Sequence, residues 1–76
     1  MTDQQEAVAL LKQLLDRLTV TFPENQRIFR DFQAWADRIG EYPPSHPMLL
    51  GHLYELTREV KAWSITADVM DRARVG

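Results

Sequence analysis

The chain reads as an all-α protein, a small three-helix arrangement with a long C-terminal helix, completed by dimerisation. Three observations carry that reading. Apolar residues recur at steps of three and four along most of the chain, which is the period of a helix face and not of a strand. Prolines fall in two places, at Pro23 and at Pro43, Pro44 and Pro47, and a helix interior does not tolerate them, so they divide the chain into three runs. The last run has no proline after Pro47. A helix of about 27 residues there would be roughly 40 Å long, more than twice the mean of globular domains, and would form the spine of the molecule.

The first helix is expected over about residues 3–20. Thr2 with Gln5 three residues on matches a capping box, and Asp3 and Glu6 sit where the helix dipole favours acids. Val8, Leu11, Leu15, Leu18 and Phe22 form a heptad-like line, with Ala7, Leu10 and Leu14 beside it. The apolar face therefore spans about 160° of the helical wheel, wide enough for two neighbours. Lys12, Gln13, Asp16 and Arg17 read as the solvated side. The β-branched run Thr19, Val20 and Thr21 weakens the helix, and Pro23 ends it.

The second helix is expected over about residues 23–39. Thr21 and Glu24 match a capping box around Pro23, and Ile28, Phe29, Phe32, Trp35, Ala36 and Ile39 share one face. Gly40 occupies the place of a C-terminal cap. Arg27, Arg30, Asp31, Asp37 and Arg38 mix signs on the outer side, with Arg27 and Asp31 spaced for an i, i+4 ion pair. The proline-rich stretch from Gly40 to Pro47 reads as a stiff connection, with Ser45 or His46 as the next N-cap. Pro44 to Pro47 also spells PxxP, a short pattern that arises readily by chance.

The third helix is expected over about residues 46–73, with Leu49, Leu53, Leu56, Val60, Trp63, Ala67 and Met70 as its seam. Being longer than its partners, it should overhang them. Gly51 costs up to about 1 kcal/mol of helix propensity and suggests a close crossing. Arg72 and Arg74 suit the dipole at the C-terminal end. Almost opposite the seam lie Tyr54, Ala62, Ile65 and Val69. One core needs one apolar stripe, so these four are the candidate partner-binding residues.

The totals narrow the function classes. Residues 1–76 read as one domain near the lower size limit of independent folding, where oligomerisation is a natural source of extra core. There is no cysteine, hence no disulfide, thiol nucleophile or cysteine metal site. Nine Lys and Arg against eleven Asp and Glu give a net charge of -2, the wrong sign for a domain that neutralises phosphates. The acid-bearing N-terminus and the lack of a long apolar run read as a soluble cytoplasmic protein without a secretory leader or membrane span.

Among chemistries, no nucleophile stands near a base in sequence pattern, and the three glycines are far apart, so neither catalysis nor a phosphate loop is indicated. No cofactor is expected. Two alternatives remain beside protein binding. A helix-turn-helix placement would use Thr19 to Glu24 as the turn and offer Gln26, Arg27 and Arg30 to a DNA groove. A metal-binding placement would use His52, Glu55 and Glu59 on one flank of helix three. The expectation is a small helical protein-protein interaction module, an adaptor, inhibitor or regulator that occupies a surface of another protein. It is expected to be a homodimer and not an enzyme.

Overall fold

A computed structural model describes residues 3–75. It contains α1 (Asp3–Thr21), a single 3-10 turn (Pro23–Asn25), α2 (Gln26–Glu41) and α3 (Leu49–Val75). Among the described residues there is no strand. The helices are 19, 16 and 27 residues long. The expected all-α class, the three helices and the long third one are all present.

The order is up, down, up. Gln4 Nε2 of α1 donates to the carbonyls of Ile39 and Tyr42 at the far end of α2, at 2.6 and 2.9 Å. Lys12 meets Asp37 at 2.7 Å, and Gln33 donates to Asp16 at 3.0 Å. Rising numbers on α1 thus meet falling numbers on α2. Arg17, by contrast, meets Asp68 and Asp71 near the C-terminal end of α3, at 2.8 and 3.4 Å. So α1 and α3 run parallel, each antiparallel to α2, as short connections between neighbours require.

All three helices close on one apolar core of Val8, Leu11, Leu15, Leu18, Phe22, Phe29, Ala36, Ile39, Leu49, Leu56, Val60 and Ala67. The expected line of α1 is buried in full. On α3 the buried members are Leu49, Leu56, Val60 and Ala67, within about 20° of one direction on the wheel. Leu53, Trp63 and Met70 pack against the core but keep some surface. Trp63 closes one end of the core edge-on to Phe22 and Phe29, with ring centroids at 5.2 and 5.1 Å, a favoured aromatic geometry. The molecule is 47 Å long and about 20 Å across. Since α1 spans only about 28 Å, the overhang of α3 supplies much of that length.

Several local expectations are corrected. The Thr2 end of the first capping box lies outside the described residues. The second box does not form: α1 continues through Thr21, whose hydroxyl donates back to the Arg17 carbonyl at 3.1 Å. Thr19 does the same to Leu15 at 2.9 Å. Those back-bonds let β-branched residues complete the last turn. Pro23 starts the 3-10 turn, which caps without any side chain, so α2 proper begins at Gln26 instead of 23.

Gly40 is not a left-handed cap. It sits inside α2, and among the described residues no glycine has a positive φ. The helix ends one residue later because Pro43 forces Tyr42 into an extended conformation. Gly51 marks no close crossing either, since a Cβ built there meets nothing within 4 Å. Helix three starts at Leu49, after two turns closed by His46 N–H to Pro43 and Leu49 N–H to His46. That folded path excludes an extended PxxP ligand and makes the prolines a rigid elbow. Arg27 and Asp31 form no ion pair among the described residues; Lys12 and Arg17 are the cations that do.

Candidate functional site

Burial divides the surface of α3 into two kinds. Its inward direction is filled, while the outward direction carries large apolar side chains in water: Tyr54 is 69% exposed, Ile65 54% and Val69 58%. Ala62 is exposed as well. The four residues read from sequence as opposite the seam therefore lie outside the core on one side of one helix. Tyr54, Ile65 and Val69 form a line. Ala62 sits about 60° from Ile65 on the wheel, at the rim of that line. There it borders a depression of about 330 Å³ with Trp63 and Thr66. Trp63 itself belongs to the aromatic end of the core.

The outward line is not purely apolar. Arg58, Lys61 and Arg72 fall within about 40° of Ile65, interleaved with Tyr54 and Val69. All three are exposed, and none makes an ion pair among the described residues. Tyr54, Thr57, Arg58 and Lys61 enclose a depression of about 270 Å³ on this line. Sequence reading by apolar spacing alone passed over these cations, although their step of four and three from Tyr54 to Arg58 to Lys61 was available as a signal.

A second apolar surface lies at the N-terminal end of the α1–α3 groove. Asp3, Gln4, Pro44, Leu49, Leu50 and Leu53 line a hollow of about 330 Å³. Leu50 is 78% exposed at its edge. Leu10 and Leu14 are also exposed, on the helical row of α1 that ends in Arg17 and therefore on the flank toward α3. The broad apolar face of α1 has its two neighbours and still has residues to spare.

The alternative chemistries fare differently. His52 Nδ1 lies 3.1 Å from the Tyr42 hydroxyl, and its ring stands edge-on to Trp35 at 6.4 Å. Glu55 and Glu59 stay in solvent, and among the described residues no three His, Cys, Asp or Glu side chains could hold a metal ion together. His46 is a structural residue. Its Nδ1 accepts the Met48 N–H at 3.0 Å, and its ring stacks on Tyr42 at 4.2 Å, which fixes the elbow before α3. The N-cap expected at Ser45 or His46 is not there: α3 starts at Leu49, so His46 lies before the cap position and holds the Met48 N–H from outside the helix.

For the helix-turn-helix placement, Gln26, Arg27 and Arg30 are exposed as expected. However, α1 and α2 lie side by side with contacts from Gln4 to Gln33, whereas that motif crosses its helices steeply. Two cations are held by ion pairs that join helices. The pKa of the Lys12 ammonium is raised by its hydrogen bond to Asp37 and by that carboxylate's charge. Arg17 is raised by its hydrogen bond to Asp68 and the same charge.

Taken together, fold and surface define a small up-down-up three-helix protein whose long helix carries an unpartnered outer line. No protein-family model, curated protein or solved structure matches the chain. No described helix is long and apolar enough to cross a membrane.

Proposed function

We propose that this protein is a helical interaction module that acts by occupying a surface of another protein, as an adaptor or inhibitor, with Tyr54, Ala62, Ile65 and Val69 in the contact. One observation carries the reading: the outward side of α3 keeps three large apolar residues in water although the core is already closed without them. The exposed area supports it. A compact chain of 8.9 kDa exposes about 4,800 Å². This chain exposes 5525 Å², an excess close to the roughly 800 Å² per partner of a standard interface. Binding would regulate the partner by covering it, and no chemistry on the chain itself is required.

Self-association as a homodimer is the second reading, and it draws on a different surface. The α1–α3 groove has Ala7, Leu10 and Leu14 on one side and Leu50 and Leu53 on the other, with no charge between Asp3 and Arg17 on that row of α1. An apolar groove charged only at its ends suits contact between identical surfaces better than a line of cations does.

The test compares the chain with its Ile65→Asp, Val69→Lys double variant as immobilised baits in a cytoplasmic extract. The proposed role requires a partner held by the first and released by the second, with the two helix contents equal by circular dichroism. Equal capture by both would remove the outward side of α3 from the reading. Light scattering across a wide concentration range tests the second reading: a mass near twice 8.9 kDa that falls to one chain on Leu10→Asp, Leu50→Asp would locate the dimer in the groove.

A further inference from the structure

The outward line of α3 has a charge character that says what can lie on it. Within about 40° of Ile65 on the wheel, the exposed residues from Tyr54 to Arg72 include Arg58, Lys61 and Arg72 and no acid. The nearest acids are committed or turned away. Asp68 and Asp71 are held by Arg17 at 2.8 and 3.4 Å. Glu55 and Glu59 lie about 80° and 120° round the helix from Ile65, toward α2. In a protein of net charge -2, this is a cationic and apolar track roughly 27 Å long.

We propose that its occupant is an acidic amphipathic helix of another protein. The inference rests on the interaction-module reading and adds the chemistry of the partner. An apolar stripe on that helix, at i, i+3, i+4 and i+7, would cover Ile65 and Val69. Its flanking carboxylates would meet Arg58, Lys61 and Arg72. The depression of about 270 Å³ among Tyr54, Thr57, Arg58 and Lys61 receives one of those carboxylates between two cations, with the Thr57 and Tyr54 hydroxyls as further donors. About 18 residues of partner helix match the length of the track.

Charge also ranks the other occupants. A second copy would bring Arg58, Lys61 and Arg72 against the same three cations, because the line has no acid of its own to offer in either direction. A nucleic acid would be repelled at long range by the net negative charge and would leave Ile65 and Val69 without an apolar contact.

The experiment is selection from a displayed library of helical segments of about 20 residues, with the outer positions fully randomised, panned on the complete chain. Enriched segments are expected to carry Asp or Glu on both sides of an apolar stripe. Their capture should disappear on the Ile65→Asp, Val69→Lys variant. It should weaken about tenfold or more on Arg58→Glu, Lys61→Glu and return when the segment's acids are exchanged for Lys. Enrichment of neutral or basic segments, or acidic segments indifferent to the charge reversal, would overturn the proposal.

So would a homodimer lost on Ile65→Asp, Val69→Lys, which would assign the line to a second copy. Salt-sensitive binding to duplex DNA or to phosphatidylserine vesicles, lost on Arg58→Glu, Lys61→Glu, would overturn it in favour of a polyanion. Segments that bind this line without acids would end the charge assignment alone. Absence of any binder that depends on the line, from library and extract alike, would end the module reading beneath it.

Discussion

The two sides of α3 are built from similar apolar residues and have opposite fates. Inward, Leu49, Leu56, Val60 and Ala67 meet α1 and α2 and are almost wholly buried. Outward, Ile65 and Val69 stand at the same helical spacing, yet more than half of each is in water. Propensity does not distinguish them, because both sides belong to one continuous helix. The difference is the presence of a neighbour. Inward residues stabilise the fold by leaving water, at about 25 cal/mol per Å² of apolar surface, whereas outward residues contribute little of that free energy because they stay in water.

Substitutions can break or sharpen this contrast, and the largest effect belongs to the inward side. Val60→Asp places an unpaired charge at a position with 0% exposure and is expected to cost more than about 4 kcal/mol. In a chain this small that removes most of the stability, so circular dichroism should show loss of helix at room temperature. Phe29→Ala, also at a fully buried site, should cost about 3–5 kcal/mol. It also removes the edge contact with Trp63 at 5.1 Å, so the tryptophan emission should shift red as the Trp63 side of the core opens.

Next in size are the two helical glycines, where a gain is expected. A Cβ at Gly40 would stand 3.6 Å from Val8, an ordinary contact, and the backbone there is that of a normal helix. Gly40→Ala should therefore stabilise by up to about 1 kcal/mol, read as a rise of about 4–8 °C in melting temperature. A fall would show that α1 and α2 pack more tightly at Val8 than this spacing allows. Gly51→Ala meets open space and should give a similar gain.

The outward side should give the mirror image of Val60→Asp. Ile65→Asp with Val69→Lys is expected to change stability by no more than about 0.5 kcal/mol, as exposed substitutions do, while abolishing association. Denaturant unfolding checks the first half and the extract comparison the second. Unfolding by this pair would mean that the two sides of α3 do not differ as described.

The smallest effect is electrostatic. The Lys12 pKa is raised above 10.5 by Asp37, so the pair's contribution is fully present below 10.5 and is lost as pH rises through the higher folded value. Both groups are exposed, so the loss is slight and salt should diminish it further. Melting curves of the parent and Asp37→Asn should differ below pH 10.5 and converge above it.

The legibility of these features from sequence follows the range of the forces behind them. Helix type and position were readable wherever a periodic apolar line ran between prolines, because both signals are local. Val8, Leu11, Leu15, Leu18 and Phe22 are buried to the last member. Ends were read less well. The Thr21 hydroxyl chose a carbonyl four residues back over a cap, and Gly40 was drawn into α2 although glycine is the usual C-terminal signal. In both places several local partners compete within about 1 kcal/mol, and packing decides among them.

For the candidate surface, the outward position of Tyr54, Ala62, Ile65 and Val69 followed from geometry at 100° per residue. The charge of the line was open to the same geometry, but Arg58, Lys61, Asp68 and Asp71 look balanced when read along the chain. Arg17, 51 residues before Asp68, draws both acids toward α1 and offsets one of their two charges.

Local periodicity and proline placement were thus sufficient to specify three helices, their faces and the length of the third, because each depends on neighbours three or four residues apart. Only the tertiary structure decided that Arg17 meets Asp68 and Asp71, that Gln4 closes on the far end of α2, and that Trp63 stands edge-on to Phe22 and Phe29. Each of those depends on which distant side chains meet, and contacts between residues far apart in the chain leave no period in the sequence.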